Sequence, residues 1–216
     1  GDELGSDYTS YETKSLLKKF NYKTNDLNIG PYTGTWKNRK SSSGFLMFDK
    51  RKTSTDVVLR HDKYGIWMMF CSGMLKGLSF GGFSFDRNND ADYQCVMQKD
   101  DQTVRFEILP YKKPKFSLGP PKEERSVRIF LPDGSTMTAE SVHDLQGTKR
   151  ETKPPAGYKI KKDQRMVAGV GRYQKKQAIL IAPEVKQIPE AHYAFMVGLG
   201  LQFFINNRLE KDPGDR

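Results

Sequence analysis

Cysteine and histidine are scarce in this chain of 216 residues, which has two Cys and three His. Two cysteines are too few for a disulfide framework, and with three histidines they are too few for a structural zinc site of the usual ligand spacing. Cys71 and Cys95 lie in runs rich in aromatic residues, so we expect small buried core residues without a redox role. The simplest interpretation is a reduced, intracellular protein.

Long apolar runs are also missing. The one strongly apolar segment, AHYAFMVGLGLQFFI at 191–205, is shorter than the roughly 20 residues that span a bilayer. The first residues, GDELGSDYTSYETKSLLKKF, show no basic start followed by an apolar run, so we expect no secretory signal. With the expected reduced cysteines, these features predict a cytoplasmic protein.

The charge balance is strongly basic. Lys and Arg number 36 against 26 Asp and Glu, a formal charge of +10, and aromatic residues make up 12% of the chain. Such aromatic content is typical of a folded domain and not of a disordered chain. A basic protein of this kind favours a polyanion as partner, either an anionic membrane face, a nucleic acid or an acidic protein assembly.

Short aromatic and β-branched runs separated by turn residues follow from about residue 33, a pattern typical of antiparallel β structure. In TVRFEIL, Val104, Phe106 and Ile108 share one face and Arg105 and Glu107 the other, as in a half-buried strand. We expect about twelve strands. The runs are YTGTWK, GFLMFDK, TDVVLRH, GIWMMFC, LSFGGFSF, YQCVMQK, TVRFEIL, SVRIFL, STMTAE, GYKIK, RMVAGVGRY and QAILIA.

Turn chemistry sets the boundaries. Asp133-Gly134, between SVRIFL and STMTAE, predicts a tight hairpin because glycine tolerates positive φ. Two Pro- and Lys-rich stretches, 110–125 and 147–157, are predicted to be exposed loops, since proline lacks the donor that a central strand needs. We expect residues 1–28 to be a polar N-terminal arm and 29–216 a single domain.

A helix is predicted at 189–207. Pro189 suits its first position, Glu190 its positive pole and Arg208 its negative pole. Nearly every position between them is apolar, so the helix has no solvated stripe and must be surrounded on all sides. Gly198 and Gly200 are unfavourable in a helix interior, and they suggest that other backbone approaches there. A membrane-spanning or partner-embedded helix is the alternative.

Three motifs that carry chemistry elsewhere have simpler explanations here. Gly77–Gly81 fits the Gly-x-Ser-x-Gly elbow around Ser79, but an aromatic strand follows where a helix is required, and neither His143 nor His192 is placed to serve it. The acidic run 86–92 resembles a calcium loop, although Ala91 occupies the glycine position and Met97 the bidentate Glu position. The glycine pairs at 169–171 and 198–200 lack the rest of a dinucleotide fingerprint.

The His61-Asp62 pair is the remaining candidate for acid/base chemistry. Adjacent strand residues point to opposite faces, so we expect His61 to be a surface histidine at a strand end. We therefore predict no catalytic residues, no metal and no cofactor, and we expect a protein that is not an enzyme.

The strands RMVAGVGRY and QAILIAPEV, followed by the apolar segment IPEAHYAFMVGLGLQFFINN, resemble the end of the tubby-like barrel shared by tubby proteins, phospholipid scramblases and the plant LURP-one-related proteins. This resemblance implies an all-β antiparallel barrel of about twelve strands with one buried apolar C-terminal helix. It also implies a non-enzymatic barrel that binds phosphoinositides or other anionic lipids. GTW near the N-terminus is similar to the start of lipocalin-like barrels.

The leading hypothesis is a binding or scaffolding module that recognises anionic membrane surfaces through basic loops. Lysines beside aromatic residues and turns are the predicted binding residues. They are Lys112, Lys113, Lys115, Lys159, Lys161 and Lys162. The alternatives are a nucleic-acid-binding component of a ribonucleoprotein assembly, a lipid-pocket barrel of lipocalin type and, last, an enzyme.

Overall fold

A computed structural model describes residues 7–13, 16, 23–41, 52–73, 79–80, 83–84, 91–111, 123–143, 155–173, 176–186 and 188–209. The strands are β1 Thr9–Glu12, β2 Asn25–Ile29, β3 Tyr32–Ser41, β4 Lys52–His61, β5 Gly65–Ser72, β6 Ser79–Phe80, β7 Phe83–Ser84, β8 Tyr93–Lys99, β9 Gln102–Ile108, β10 Ser126–Phe130, β11 Thr136–Val142, β12 Gly157–Lys162, β13 Arg165–Tyr173 and β14 Lys176–Ile181. A short 3-10 turn at Pro183–Val185 precedes the helix α1, Pro189–Leu209.

Twelve strands form one antiparallel sheet that curls into a nearly closed barrel. The strand order is β1-β14-β13-β12-β11-β10-β9-β8-β5-β4-β3-β2, so β1 and β2 are the edges. The edges approach each other, because a Cβ on Gly30 at the end of β2 would lie 2.5 Å from the Tyr11 ring on β1. Gly30 also has a φ of +56°, so this position favours glycine on both grounds.

Two strand predictions differ from the structure, and a third is untested. Part of the predicted N-terminal arm belongs to the sheet, since β1 pairs with β14 and β2 with β3. The run LSFGGFSF does not form one strand, because β6 and β7 pair only with each other. The run GFLMFDK lies outside the described residues.

The helix α1 is enclosed by the barrel, which confirms the buried C-terminal helix. Between Ala191 and Ile205 every residue is buried except Tyr193, which is half-buried. Side chains of α1 contact strands from different parts of the sheet. Phe195 contacts Tyr11 of β1 and Tyr32 of β3, and Phe204 contacts Tyr93 of β8. A helix with no polar face gains its stability from such enclosure. Among the described residues, no helix is both long and apolar enough to cross a membrane.

The two helix glycines lie against side chains, and not against backbone as the sequence suggested. A Cβ on Gly198 would lie 3.0 Å from Ile179 of β14, and one on Gly200 would lie 2.7 Å from Phe106 of β9 and 2.9 Å from Cys95 of β8. Glycine therefore brings the helix axis close to the sheet, and large inward side chains fill the space.

The Asp133-Gly134 hairpin is confirmed between β10 and β11. The backbone N–H of Leu131 donates to the Ser135 carbonyl at 2.9 Å. Gly134 has a φ of +82°. The Asp133 carboxylate accepts bonds from the backbone N–H and the hydroxyl of Ser135, and these bonds lower the pKa of Asp133. Asp133 thus accepts hydrogen bonds within the turn and Gly134 adopts a positive φ, as is typical of these residue types in turns.

The expectation of free thiols is wrong, because a disulfide joins Cys71 and Cys95. The two residues face each other across β5 and β8, with their Cα atoms 4.1 Å apart. This is close to the short spacing of a non-hydrogen-bonded antiparallel pair. Both are fully buried, as expected of core residues.

The strands follow one another in the sheet, so their connections alternate between the two ends of the barrel. One end, here called the short-turn end, has the connections 30–31, 62–64, 100–101, 131–135, 163–164 and the 182–188 link to α1. The other, the long-connection end, has the connections 13–24, 42–51, 73–92, 109–125, 143–156 and 174–175. The helix starts at the short-turn end, where Glu190 meets Lys162 at the end of β12.

Replacing Phe195 with Asp tests the enclosed helix. Phe195 is fully buried and stacks on Tyr32 with ring centroids 3.7 Å apart, so an unpaired carboxylate there should cost more than about 4 kcal/mol and prevent folding. The control is Met68→Asp on β5, where the side chain is 53% exposed; it should keep the native near-UV circular dichroism. A cooperatively folded Phe195→Asp protein would show that the helix is not enclosed.

Removing the disulfide should weaken the barrel without changing its fold. The bond closes a loop of 24 residues in sequence separation, and restricting the unfolded chain by a loop of this length is worth about 3 kcal/mol. We expect Cys71→Ala/Cys95→Ala to lower the free energy of unfolding by about that amount in urea titrations, with unchanged far-UV circular dichroism. Two alkylatable thiols in the unreduced, denatured wild type would contradict the pairing.

Candidate functional site

A pocket of about 250 Å³ opens at the short-turn end, next to the start of α1. It is bounded by the first residues of β3, the β4–β5 turn, β1, the end of β14 and the first turn of α1. Its lining residues are Tyr11, Pro31, Tyr32, His61, Lys63, Tyr64, Ile181, Lys186, Ala191 and His192. Three tyrosines and two histidines thus converge on one cavity from four separate parts of the chain.

Tyr32 and His192 form the floor of this site. The Gly30-Pro31 turn places Tyr32 at the start of β3, and Pro189 starts the helix so that His192 falls in its first turn. The Tyr32 hydroxyl and His192 Nδ1 lie 3.2 Å apart, and both residues are buried. The Tyr64 ring stacks on the imidazole at 4.3 Å with an interplanar angle of 14°.

His192 is held in the neutral form. Burial, with further contributions from the nearby His61 and Lys99, lowers the pKa of His192 to about 3. Burial likewise raises the pKa of the Tyr32 hydroxyl above its ordinary value. Within the described part of the chain, His192 Nε2 is buried and has no hydrogen-bond partner. A neutral imidazole has one donor and one acceptor nitrogen, so one hydrogen-bonding position of His192 is unused.

His61 is more than the surface histidine that the sequence predicts. It is half-buried, its ring lies 4.7 Å from that of Tyr32 and 6.1 Å from that of His192, and its Nδ1 accepts a bond from the backbone N–H of Lys63. Burial lowers the pKa of His61; Asp62 opposes this effect and Lys63 adds to it. Both histidines are therefore arranged as neutral hydrogen-bonding groups.

The charges at the pocket are all positive. Lys63 and Lys186 are exposed lining residues, and the Lys63 ammonium lies 5.3 Å from the centre of the Tyr64 ring. Among the described residues, no carboxylate lines the pocket. The arrangement combines aromatic walls, a neutral Tyr–His pair and two ammonium groups, a set suited to binding a small molecule.

The predicted lysines are not part of this pocket. Lys161 donates to Glu140 at 2.7 Å and Lys162 to Glu190 at 3.1 Å, while Lys159 is half-buried on the same strand, β12. The backbone N–H of Glu190 and the Lys162 ammonium lower the pKa of the Glu190 carboxyl. Lys162 thus ties the start of α1 to the barrel. Lys112, Lys113 and Lys115 lie outside the described residues, in the connection from β9 to β10.

The other sequence motifs give no second site in the described part of the chain. Ser79 in β6 is followed by the strand β7 and not by a helix directly after the motif. His143 Nε2 lies 3.2 Å from the Ser141 hydroxyl. The run 86–92 lies mostly outside the described residues. Within those residues, no three His, Cys, Asp or Glu side chains gather as a metal site.

One signal in the sequence points to the pocket residues that the motif analysis missed. His192 interrupts a helix with no solvated face, and a buried polar side chain needs a partner. That partner, Tyr32, is 160 positions away, and no local pattern connects the two. Tyr11 belongs to the segment predicted as an arm.

Comparisons with protein-family models, with curated proteins and with solved structures found no match to this chain.

The buried His192 should make the stability of the barrel depend on pH. Its pKa is lower in the folded protein, about 3, than in the unfolded chain, near 6.5, so the unfolded state binds more protons as the pH falls below 6.5. The free energy of unfolding should therefore decrease by about 1.4 kcal/mol per pH unit between pH 6.5 and 4.5. Above pH 6.5 the effect should vanish.

The measurement is urea unfolding across this pH range for the wild type and for His192→Gln. The variant keeps a hydrogen-bonding group beside Tyr32 but does not titrate. We expect the free energy of unfolding of the variant to fall less steeply with acid. The loss of stability relative to pH 7 should be larger in the wild type, and increasingly so towards pH 4.5. Parallel pH profiles would mean that His192 is not held neutral by the fold.

Proposed function

We propose that this protein is a non-enzymatic binding module that attaches to anionic membrane surfaces through its long-connection end. The observation that carries the proposal is the separation of charge between the two ends of the barrel. The turns of the short-turn end hold six acidic residues and two lysines. These are Asp62, Asp100, Asp101, Asp133, Asp163 and Glu184, with Lys63 and Lys186.

The segments that join the strands at the long-connection end have the opposite balance. By sequence, they hold 17 Lys and Arg and 8 Asp and Glu. Most of the formal charge of +10 therefore belongs to these connections. Because an excess of positive charge at one end orients a molecule before contact, an anionic surface should meet the long-connection end first.

The connection 109–125 has the most basic residues of these segments, five, together with Glu123 and Glu124. Lys112, Lys113 and Lys115 lie between Tyr111 and Phe116, and such rings favour the headgroup region of a membrane. Each basic residue near an anionic surface contributes about 1 kcal/mol. By contrast, Lys161 and Lys162 are paired with carboxylates near the other end, so we assign them and Lys159 a minor part in membrane binding.

The barrel that encloses an apolar C-terminal helix resembles the tubby-like architecture, and this resemblance supports phosphoinositides as the lipid class. Function inferred from a fold alone is an analogy, so the charge distribution remains the main support. In this proposal the protein is peripheral to membranes, and the Cys71–Cys95 bond removes the argument that free thiols gave for a reducing cytoplasm.

Vesicle co-sedimentation tests the proposal. The vesicles contain phosphatidylcholine alone, or with phosphatidylserine, or with a phosphoinositide. We expect binding to both anionic compositions, weakened by roughly two orders of magnitude at low salt in Lys112→Ala/Lys113→Ala/Lys115→Ala, with a smaller difference at high salt because ions screen the field.

A control variant removes the same charge from the short-turn end. Lys63→Ala/Arg165→Ala/Lys186→Ala changes three exposed residues there and should bind vesicles nearly as well as the wild type. Equal losses in the two triple variants would mean that net charge alone matters and that no end is specialised. Tight binding of single-stranded RNA without affinity for anionic vesicles would replace the membrane proposal with the nucleic-acid alternative.

A further inference from the structure

We propose that the pocket at the short-turn end binds a small planar organic anion, such as an aromatic carboxylate. The proposal is independent of membrane binding, which uses the opposite end of the barrel. It rests on the placement of charge around the pocket, on an unused buried hydrogen-bonding group and on the shape of the lining.

Charge is placed selectively at this end. Both lysines of the short turns, Lys63 and Lys186, line the pocket, whereas none of the six acidic residues of those turns does so. Turns that are acidic in sum therefore place only positive charges at the mouth of this pocket. A carboxylate is attracted to such a mouth, and a cationic ligand is disfavoured.

The buried polar group points to a ligand with a hydrogen-bonding atom. His192 is 2% exposed and lines the pocket, and its Nε2 has no partner within the described residues. An unmade bond of this kind costs about 1–3 kcal/mol, which a ligand atom bonded to Nε2 would offset. The imidazole is neutral, so the role of Nε2 depends on the tautomer. If the Tyr32 hydroxyl donates to Nδ1, Nε2 carries the proton and is a donor. If Nδ1 donates to the Tyr32 oxygen, Nε2 is an acceptor.

The walls determine the shape of the ligand. Tyr11, Tyr32 and Tyr64 present rings, and Pro31 and Ile181 present apolar surface. Planar groups pack well on such rings through stacked and edge contacts. The volume of about 250 Å³ exceeds the roughly 150 Å³ of a cavity that admits benzene, so a molecule of one or two fused rings fits.

The arrangement favours binding over chemistry. Within the lining set there is no serine, threonine, cysteine or carboxylate. Burial keeps the Tyr32 hydroxyl protonated by raising its pKa and keeps His192 neutral by lowering its pKa. The two therefore serve as a fixed hydrogen-bonding pair, and the lysines supply the charge that recognises the ligand.

The experiment titrates three probes into the full chain and follows heat and amide chemical shifts. The probes are 2-naphthoate, its neutral counterpart 2-naphthamide and the non-planar cyclohexanecarboxylate. We expect saturable binding of naphthoate, with shifts centred on Tyr32, Tyr64 and His192. The other two probes should bind about tenfold or more weakly, which corresponds to about 1.4 kcal/mol.

Three variants separate the contributions. Lys63→Ala/Lys186→Ala should weaken naphthoate about tenfold and leave naphthamide unchanged, because only the charge recognition is lost. His192→Phe keeps a ring but removes the hydrogen bond, and it should weaken both naphthalene probes. The matched control Arg60→Ala/Arg165→Ala removes the same charge from exposed residues near the same end that do not line the pocket; it should bind as the wild type does.

Absence of saturable binding by all three probes would overturn the proposal, as would equal affinity for naphthoate and naphthamide. Equal losses in the two double variants would also overturn it, because the field of the whole end, and not the pocket, would then attract the anion. None of these results bears on vesicle binding, so the two proposals can fail separately.

Discussion

The apolar circumference of α1 is the constraint on which the rest of this structure depends. With no polar stripe between Ala191 and Ile205, the helix is stable only where apolar side chains meet it on every side. The antiparallel sheet supplies these apolar contacts because it curls around the helix until its edge strands β1 and β2 nearly touch. Gly198 and Gly200 then let large residues such as Phe106 and Ile179 pack directly on the helix, so the core has neither a second layer nor a solvent-facing helix surface.

Enclosing the helix also creates the pocket. A helix that begins inside the mouth of a barrel brings its first turn against the turns that surround that mouth. Here the first turn contains His192, which is covered by Tyr64 and bonded to Tyr32. Burial of this histidine is unfavourable for its charged form, and the neutral form has a hydrogen-bonding position unused.

The strand order gives the molecule two different ends. Because nearly every strand of the sheet pairs with the strand that precedes or follows it in the sheet's chain order, connections alternate between the ends, and here one end receives most of the short turns. Short turns favour Asp and Gly for conformational reasons, so the turns of that end hold more acidic than basic residues, while the connections of the other end hold 17 Lys and Arg by sequence. The unequal charge of the two sets of connections, read from the sequence, thus follows from turn chemistry and strand order together.

The sequence by itself determined the features that depend on local periodicity and turn chemistry. The alternation of Val104, Phe106 and Ile108 predicted β9, Asp133-Gly134 predicted a hairpin, and the apolar run after Pro189 predicted an enclosed helix. Only the tertiary structure decided what depends on pairing between distant segments. Thr9–Glu12 is a polar edge strand that has no hydrophobic run of its own and is defined by its partner β14. The Cys71–Cys95 bond depends on the register of β5 against β8. The pocket depends on His61, Tyr32 and His192 lying together at one end of the barrel. Barrel closure and strand register bring these residues together. Because they are far apart in the sequence, no local pattern predicts that they are close in space.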